Sequence, residues 1–198
     1  MAATVELVQG LAAARLRSFT PRPPPDVHAT IVSLSSPAHP HPYTDAEAGV
    51  LRTFLRETFD RAPLDARFGG FAAGDRRFTS RGSPPYVRSL EAALGKVVVI
   101  GWPDPATGGR DRLGRIRQAC GDLGFVHDYH RDGAPLDTDL YAVVGEVDPD
   151  EPVGAFLDEG RAALSRSPTR IRVDADALRF VTYEDTRLPA ATSHAERL

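Results

Sequence analysis

Apolar positions recur every three to four residues at the start of the chain. Val5, Val8, Ala12, Leu16 and Phe19 fall on one face, and the spacing predicts a helix over residues 4–19. Pro21-Arg22-Pro23-Pro24-Pro25 cannot continue it, because proline lacks the amide proton and fixes an extended backbone, so a connector follows. Over residues 27–34 the period changes to two. Val27, Ala29, Ile31 and Ser33 share one side and His28, Thr30, Val32 and Leu34 the other, which predicts a strand. A Pro/His-rich loop then leads to Thr44-Asp45-Ala46-Glu47, a capping box opening a helix whose face carries Leu51, Phe54, Leu55 and Phe59.

Further along, residues 68–78 suggest a hairpin about Ala73-Gly74-Asp75. Ser83 with Pro84 opens a short helix that Gly95 is placed to end. Residues 97–102 are an unbroken apolar run, hence a buried strand. A helix follows with Leu113, Ile116, Cys120 and Leu123 on its face and Gly124 as its stop. Residues 127–137 are polar and irregular, and 140–147 form a second buried strand. Residues 150–164 are a helix facing inward through Val153, Phe156, Leu157 and Leu164. Residues 170–173 and 178–183 read as strands about Asp174-Ala175-Asp176.

Strands and helices therefore alternate, without a phosphate-binding glycine loop or a dinucleotide fingerprint. A strand followed by a helix begins at Val27 and again at Leu140. The expectation is one α+β domain over residues 1–198, made of two related sheet-and-helix lobes around a central cleft. Residues 1–25 supply the N-terminal helix and Pro-rich connector, 26–189 the bilobal core and 190–198 a loose tail.

Composition narrows the function classes. The net charge of −3 offers no bulk attraction to nucleic acid or anionic membranes, so a nucleic-acid partner would need a local basic groove. Cys120 is the only cysteine, which excludes an internal disulfide and a thiolate metal cluster; on its helical face it reads as a buried, inert thiol. No apolar run approaches the roughly 18 residues of a membrane span, and residues 1–6 lack a basic leader segment, so the expected location is the cytoplasm. Lys96 is the only lysine. The arginine bias reads as the codon usage of a high-GC bacterial genome, although arginine also suits planar recognition of phosphates and carboxylates.

His28-Ala29-Thr30-Ile31-Val32 carries the most chemistry, since the imidazole and hydroxyl alternate onto one strand face. It resembles the first motif of the 2H phosphoesterase superfamily, which includes the RNA ligase-like cyclic phosphodiesterases. The order of residues 97–102, the helix over 111–124 and the strand at Leu140 is similar to such proteins, as is the ending Val173-Asp174-Ala175-Asp176-Ala177-Leu178-Arg179-Phe180-Val181-Thr182-Tyr183-Glu184. The resemblance spans about residues 27–189 and implies a bilobal fold whose two His-x-Thr or His-x-Ser motifs face a shared cleft. It also implies a phosphoester substrate, one imidazole acting on water and the other on the leaving oxygen, hydroxyls holding phosphate oxygens, and no metal or cofactor. Two departures stand out. Asp139-Leu140-Tyr141 occupies the place of the second motif, and a helix precedes the first.

His28 and Thr30 are thus the leading catalytic candidates, against a merely structural histidine at a strand end. Asp139 and Tyr141 are a replaced second site, with Asp139 as base or orienter, or else a turn aspartate followed by a core tyrosine. His127-Asp128-Tyr129-His130 offers substrate-binding imidazoles or a pair of metal ligands, against a plain polar loop. His39-Pro40-His41 suggests a lid over the cleft. Arg76, Arg77, Arg81 and Arg88 form either a solvated loop cluster or an anion clamp, with Arg77 and Arg81 as its substrate-binding members. Three functions follow: phosphoester hydrolysis of a cyclic or nucleotide-like substrate, acid–base hydrolase or cyclase chemistry by His28 with Asp139 on another small molecule, and non-catalytic binding of a nucleotide or RNA end.

Overall fold

The computed structural model describes residues 1–34, 43–107, 109–127, 136–183 and 192–198. The fold is mixed α+β. Helix α1 (Ala2–Arg15) is followed by β1 (Thr20–Pro21), α2 (Asp45–Arg61), β2 (Leu64–Phe68), α3 (Pro85–Arg88) and the hairpin β3 (Leu90–Ala93) and β4 (Lys96–Pro103). Then come α4 (Arg112–Asp122), β5 (Leu140–Glu146), α5 (Gly154–Arg166), β6 (Thr169–Val173), β7 (Arg179–Tyr183) and β8 (Ser193–Arg197). One sheet has the order β1-β5-β4-β2-β6, with β3 also on β4; the second is β7-β8. Among the described residues, no helix is long and apolar enough to cross a membrane.

The chain divides into two compact units. The first takes Met1–Thr30, Ala66–Trp102 and Asp139–Ile171, and the second takes Ile31–Asp65, Pro103–Thr138 and Arg172–Leu198.

In the first unit β4 is the centre. Its apolar run is buried throughout from Val97 to Trp102, as a strand covered on both faces must be. Val98, Ile100 and Trp102 point to one side, into a cluster with Phe71 and Phe78 that Tyr86, Tyr141 and Val143 border. The rings of Phe71 and Trp102 meet edge to face, with centroids 5.2 Å apart. Helix α1 buries Val5, Val8 and Ala12, as its spacing predicts, but it stops at Arg15. Phe19 lies instead against Gly145, where a Cβ would stand 2.3 Å from its ring.

In the second unit the capping box of α2 forms as expected, Thr44 accepting from the Glu47 amide while Glu47 reaches back. Leu51, Leu55 and Phe59 are buried and Phe54 only half so. Helix α4 buries Leu113, Ile116 and Cys120, while Leu123 is exposed. Arg52 stands 4.3 Å from the centroid of the Phe180 ring on β7 and pairs with Glu196 on β8.

Four expectations change. The strand over 27–34 reduces to a single bridge between Ala29 and Ala142. Phe71 and Phe78 do not sit in a hairpin but fill the aromatic cluster. Gly95 ends no helix; it turns β3 into β4. The tail is not loose over 193–197, where β8 pairs with β7 in register from Arg179↔Arg197 to Tyr183↔Ser193.

The turn at Gly95 carries strain. Leu94 and Gly95 both have positive φ, 52° and 73°, the signature of a two-residue primed turn that favours Asn-Gly. Leucine pays a Cβ clash there and packs against little, being 96% exposed. Leu94→Asn is expected to raise the unfolding free energy by about 1 kcal/mol in urea titrations, with no change in m-value.

Candidate active site

The site grows from the two edges of β5. One edge pairs antiparallel with β4, setting Tyr141 beside Ile100 and Val143 beside Val98. The other pairs with β1, Thr20 to Glu146 and Pro21 to Gly145, and the Arg22 amide then donates to the Val144 carbonyl at 2.9 Å. The prolines interrupt this pairing because they have no amide proton to give. Residues 23–28 swing out through a 3-10 turn at Pro24–Asp26, and the chain regains the edge at Ala29, bridged to Ala142. An outward excursion in one strand of a pair re-aims the side chains at its ends.

His28 sits where the excursion closes. Its Nδ1 donates to the Asp26 carbonyl at 2.8 Å, so that nitrogen holds the proton and Nε2 carries the basic lone pair of the neutral ring. Burial pushes the imidazole pKa below its usual 6.5; the Asp26 carbonyl opposes this, and the charge of Arg22 adds to it. The Ala29–Ala142 pairing places His28 opposite Val143 and Thr30 opposite Tyr141 in register. By the alternation of the pleat, these residues belong to the side of β5 that carries Tyr141 and Val143.

Asp139, just before β5, is 3% exposed. Its Oδ1 accepts from Trp102 Nε1 at 2.6 Å and from Ser80 Oγ at 2.8 Å. Its Oδ2 lies 2.7 Å from the same Ser80 hydroxyl, 2.9 Å from Arg88 Nη2 and 3.1 Å from the Tyr141 hydroxyl. Serine, tryptophan, arginine and tyrosine thus fill the roughly four acceptor sites of a carboxylate. Arg88 also donates to Tyr141 and pairs with Glu91 through Nη1. Burial works to lower the Arg88 pKa, but Tyr141, Asp139 and Glu91 outweigh it and hold the guanidinium well above its ordinary range. Burial, reinforced by the Asp139 charge, pushes the Tyr141 hydroxyl up to about 12. Asp139 is therefore a fixed anchor and is badly placed to act as a base, and Tyr141 is a protonated donor.

The remaining candidates scatter. Arg77 is held by Asp75 and Arg76 by the carbonyls of Ala73 and Asp75, so neither is presented as an anion clamp. Arg81 stays in the first unit, its guanidinium 5.4 Å from the centroid of the Tyr141 ring. His127 belongs to the second unit and is buried. It accepts from the Ser33 amide at Nδ1, 2.9 Å away, and turns Nε2 toward Asp137 at 3.9 Å. Arg117 completes that group, pairing with Asp137 at 3.0 Å and donating to the Ile31 carbonyl at 2.7 Å. These contacts pin backbone segments together. His130, His39 and His41 lie outside the described residues. Cys120 is buried, which pushes its thiol up to about 12 and leaves it unreactive. Among the described residues no group of three or more His, Cys, Asp or Glu side chains suits a metal ion.

Sequence reading missed Ser80, Trp102 and Arg22, and took Arg88 only as one of a loop cluster or anion clamp. The lone tryptophan ending an apolar strand was a usable signal, since a buried indole N–H needs an acceptor. Nothing in the spacing marks Arg88 as the buried one among four nearby arginines. No family model, curated protein or solved structure matches the chain.

Asp139→Ala leaves the buried Arg88 with Glu91 as its remaining carboxylate among the described residues and removes the acceptor of three other donors. Denaturant titration is expected to show a loss of about 3–5 kcal/mol, the range for a broken buried pair. Trp102→Phe removes one charge-assisted hydrogen bond and is expected to lose about 2 kcal/mol in the same titration.

Proposed function

We propose that this protein is a divergent phosphoesterase of the two-histidine type, acting on a cyclic phosphate or nucleotide-like phosphoester with His28 as its one acid–base group. The observation that carries this reading is the state of His28. The ring is anchored through Nδ1 on the Asp26 carbonyl, biased toward its neutral form, with Nε2 as the basic nitrogen, two residues before the Thr30 hydroxyl. In the reaction, a water oxygen adds to phosphorus and its proton passes to His28 Nε2. The P–O bond to the leaving oxygen breaks, and that oxygen takes a proton from solvent. Thr30 holds a non-bridging phosphate oxygen. The Asp26 carbonyl stabilises the imidazolium as it forms.

Asp139 does not suit the role of second acid or base, because four donors already occupy its lone pairs. That counts against the His28–Asp139 pair acting on a different small molecule. The same observation favours a second reading: with one imidazole and no dedicated acid at the site among the described residues, it binds a phosphate end without turning it over.

A panel of 2′,3′-cyclic nucleotides separates the two. The expected result is slow hydrolysis by the wild-type protein and a drop of about 10²–10⁴-fold in His28→Ala. The proton acceptor must be neutral, so kcat/KM should rise with pH along one acidic limb lying below pH 6.5 and then stay flat. Saturable binding without product supports the second reading, and turnover undiminished in His28→Ala overturns the first.

A further inference from the structure

Residues 80–83 form a two-residue turn in the first unit. The Ser80 and Ser83 amides each donate to the other's carbonyl, at 2.9 and 3.0 Å, and the two residues pair as a bridge. Both central residues are left-handed, Arg81 at φ 48° and Gly82 at 77°. This is the second primed turn in the chain with a disfavoured first residue, since Asn-Gly would form it with less strain. The two differ in what that residue does. Leu94 projects from its turn with little to touch. Arg81 is exposed along its chain, yet its guanidinium is carried over the ring of Tyr141, the residue that stands opposite Thr30. Among the described residues it has no carboxylate partner.

The base of this turn is rigid. Ser80, its first residue, is buried and bonds both oxygens of Asp139, so the buried network fixes the platform from which Arg81 extends. Arg88, the other guanidinium near the Tyr141 ring, is fully engaged with Asp139, Glu91, Ser80 and Tyr141. Arg81 is the cation left over. Backbone strain held by a rigid surround clusters at ligand-binding positions, and here, unlike at Leu94, it falls on a residue with a charged head group.

We propose that Arg81 is the anion receptor of the His28 site and that it recognises a phosphodiester through that group's two non-bridging oxygens. This rests on reading His28 as a phosphoester site. A guanidinium offers two parallel N–H donors matched to two oxygens on one phosphorus, which a lysine ammonium cannot reproduce. The aromatic face beneath limits where the fork can swing.

A simpler role for Arg81 is charge compensation. Arg88, Asp139 and Glu91 sum to one net negative charge, which Arg81 would offset from above. The two roles differ in whether loss of the guanidinium costs diester affinity. Arg81→Asn relieves the turn under either role; a receptor shows that gain as a higher Tm together with lost diester affinity, whereas charge compensation sets a loss against the gain and leaves diester affinity unchanged.

The experiment compares the full-length wild-type chain with Arg81→Asn, Arg81→Lys and His28→Ala. It reads thermal unfolding, kinetics with 2′,3′-cyclic AMP, and calorimetric titration with dimethyl phosphate, a diester that binds without turnover. Expected for Arg81→Asn are a higher Tm, a KM raised by about tenfold or more with a smaller fall in kcat, and diester binding weakened by a similar factor. Arg81→Lys should keep the charge and still lose most of the affinity. Unchanged diester affinity in Arg81→Asn overturns the proposal, as does a lower Tm with unchanged KM. If the wild-type protein turns nothing over, the phosphoesterase reading fails, while the diester titration still decides the role of Arg81.

Discussion

A carboxylate taken out of water must be met by donors on every side, and in this protein that demand organises the first unit. Asp139 stands just before β5, yet its partners come from the turn at Ser80, from α3 at Arg88, from the end of β4 at Trp102 and from β5 itself at Tyr141. Burial of an ionised group costs several kcal/mol unless its lone pairs are filled. Each donor is therefore constrained in position as well as in direction. The indole cannot reach Oδ1 unless Trp102 stays in the aromatic cluster, and its place there edge-on to Phe71 fixes that side of the sheet. The apolar packing and the polar network are consequently one structure: the rings exclude water, and the exclusion makes the hydrogen bonds strong.

That rigidity extends to the free edge of β5. The edge is paired at Thr20–Pro21, lost across the proline excursion, and regained at Ala29. A chain tied at both ends of a short proline-stiffened loop has few conformations left. His28, at the closing end, is oriented by the loop's own carbonyl at Asp26 and by no distant partner. The position of the imidazole is thus a consequence of where proline forbids pairing.

Legibility followed the distance over which each decision is made. The capping box at Thr44, the apolar run over 97–102, the stripe on α4 and the stop at Gly124 are decided within a turn or a strand, and sequence sufficed for them. The strand over 27–34 alternates correctly, but strand formation needs an edge to pair with, and only Ala29 finds one. Gly95 was given the right conformation and the wrong purpose, because a left-handed glycine ends a helix and turns a hairpin equally well. The stretch 193–197 reads as polar and loose, and becomes ordered only through its partner β7. At the site, His28 and Thr30 were legible as an alternating pair. The state of Asp139 was not, since aspartate before a strand looks the same as a turn residue, a base or an anchor until its donors are known.

Those donors bear on what an aspartate can do at the head of β5. An imidazole at a strand head would present one nitrogen to a substrate and the other to a support. An aspartate there has no second face to offer once it is desolvated, and its charge must be neutralised from within the protein. Arg88 supplies that charge and Ser80, Trp102 and Tyr141 complete the shell. Asp139 is thereby a structural group, and the neighbouring hydroxyl is committed with it, since Tyr141 gives its proton to Asp139 and accepts from Arg88. The proposed function is asymmetric: the basic nitrogen of His28 lies on one side, and on the other Arg81 stands over Tyr141 on the turn that Asp139 anchors through Ser80. Under the proposed function such a site would take hold of an anion with one side and move protons with the other, so binding and proton transfer would be separable by substitution. In a symmetric two-histidine site each imidazole would serve both ends, and no such separation would exist.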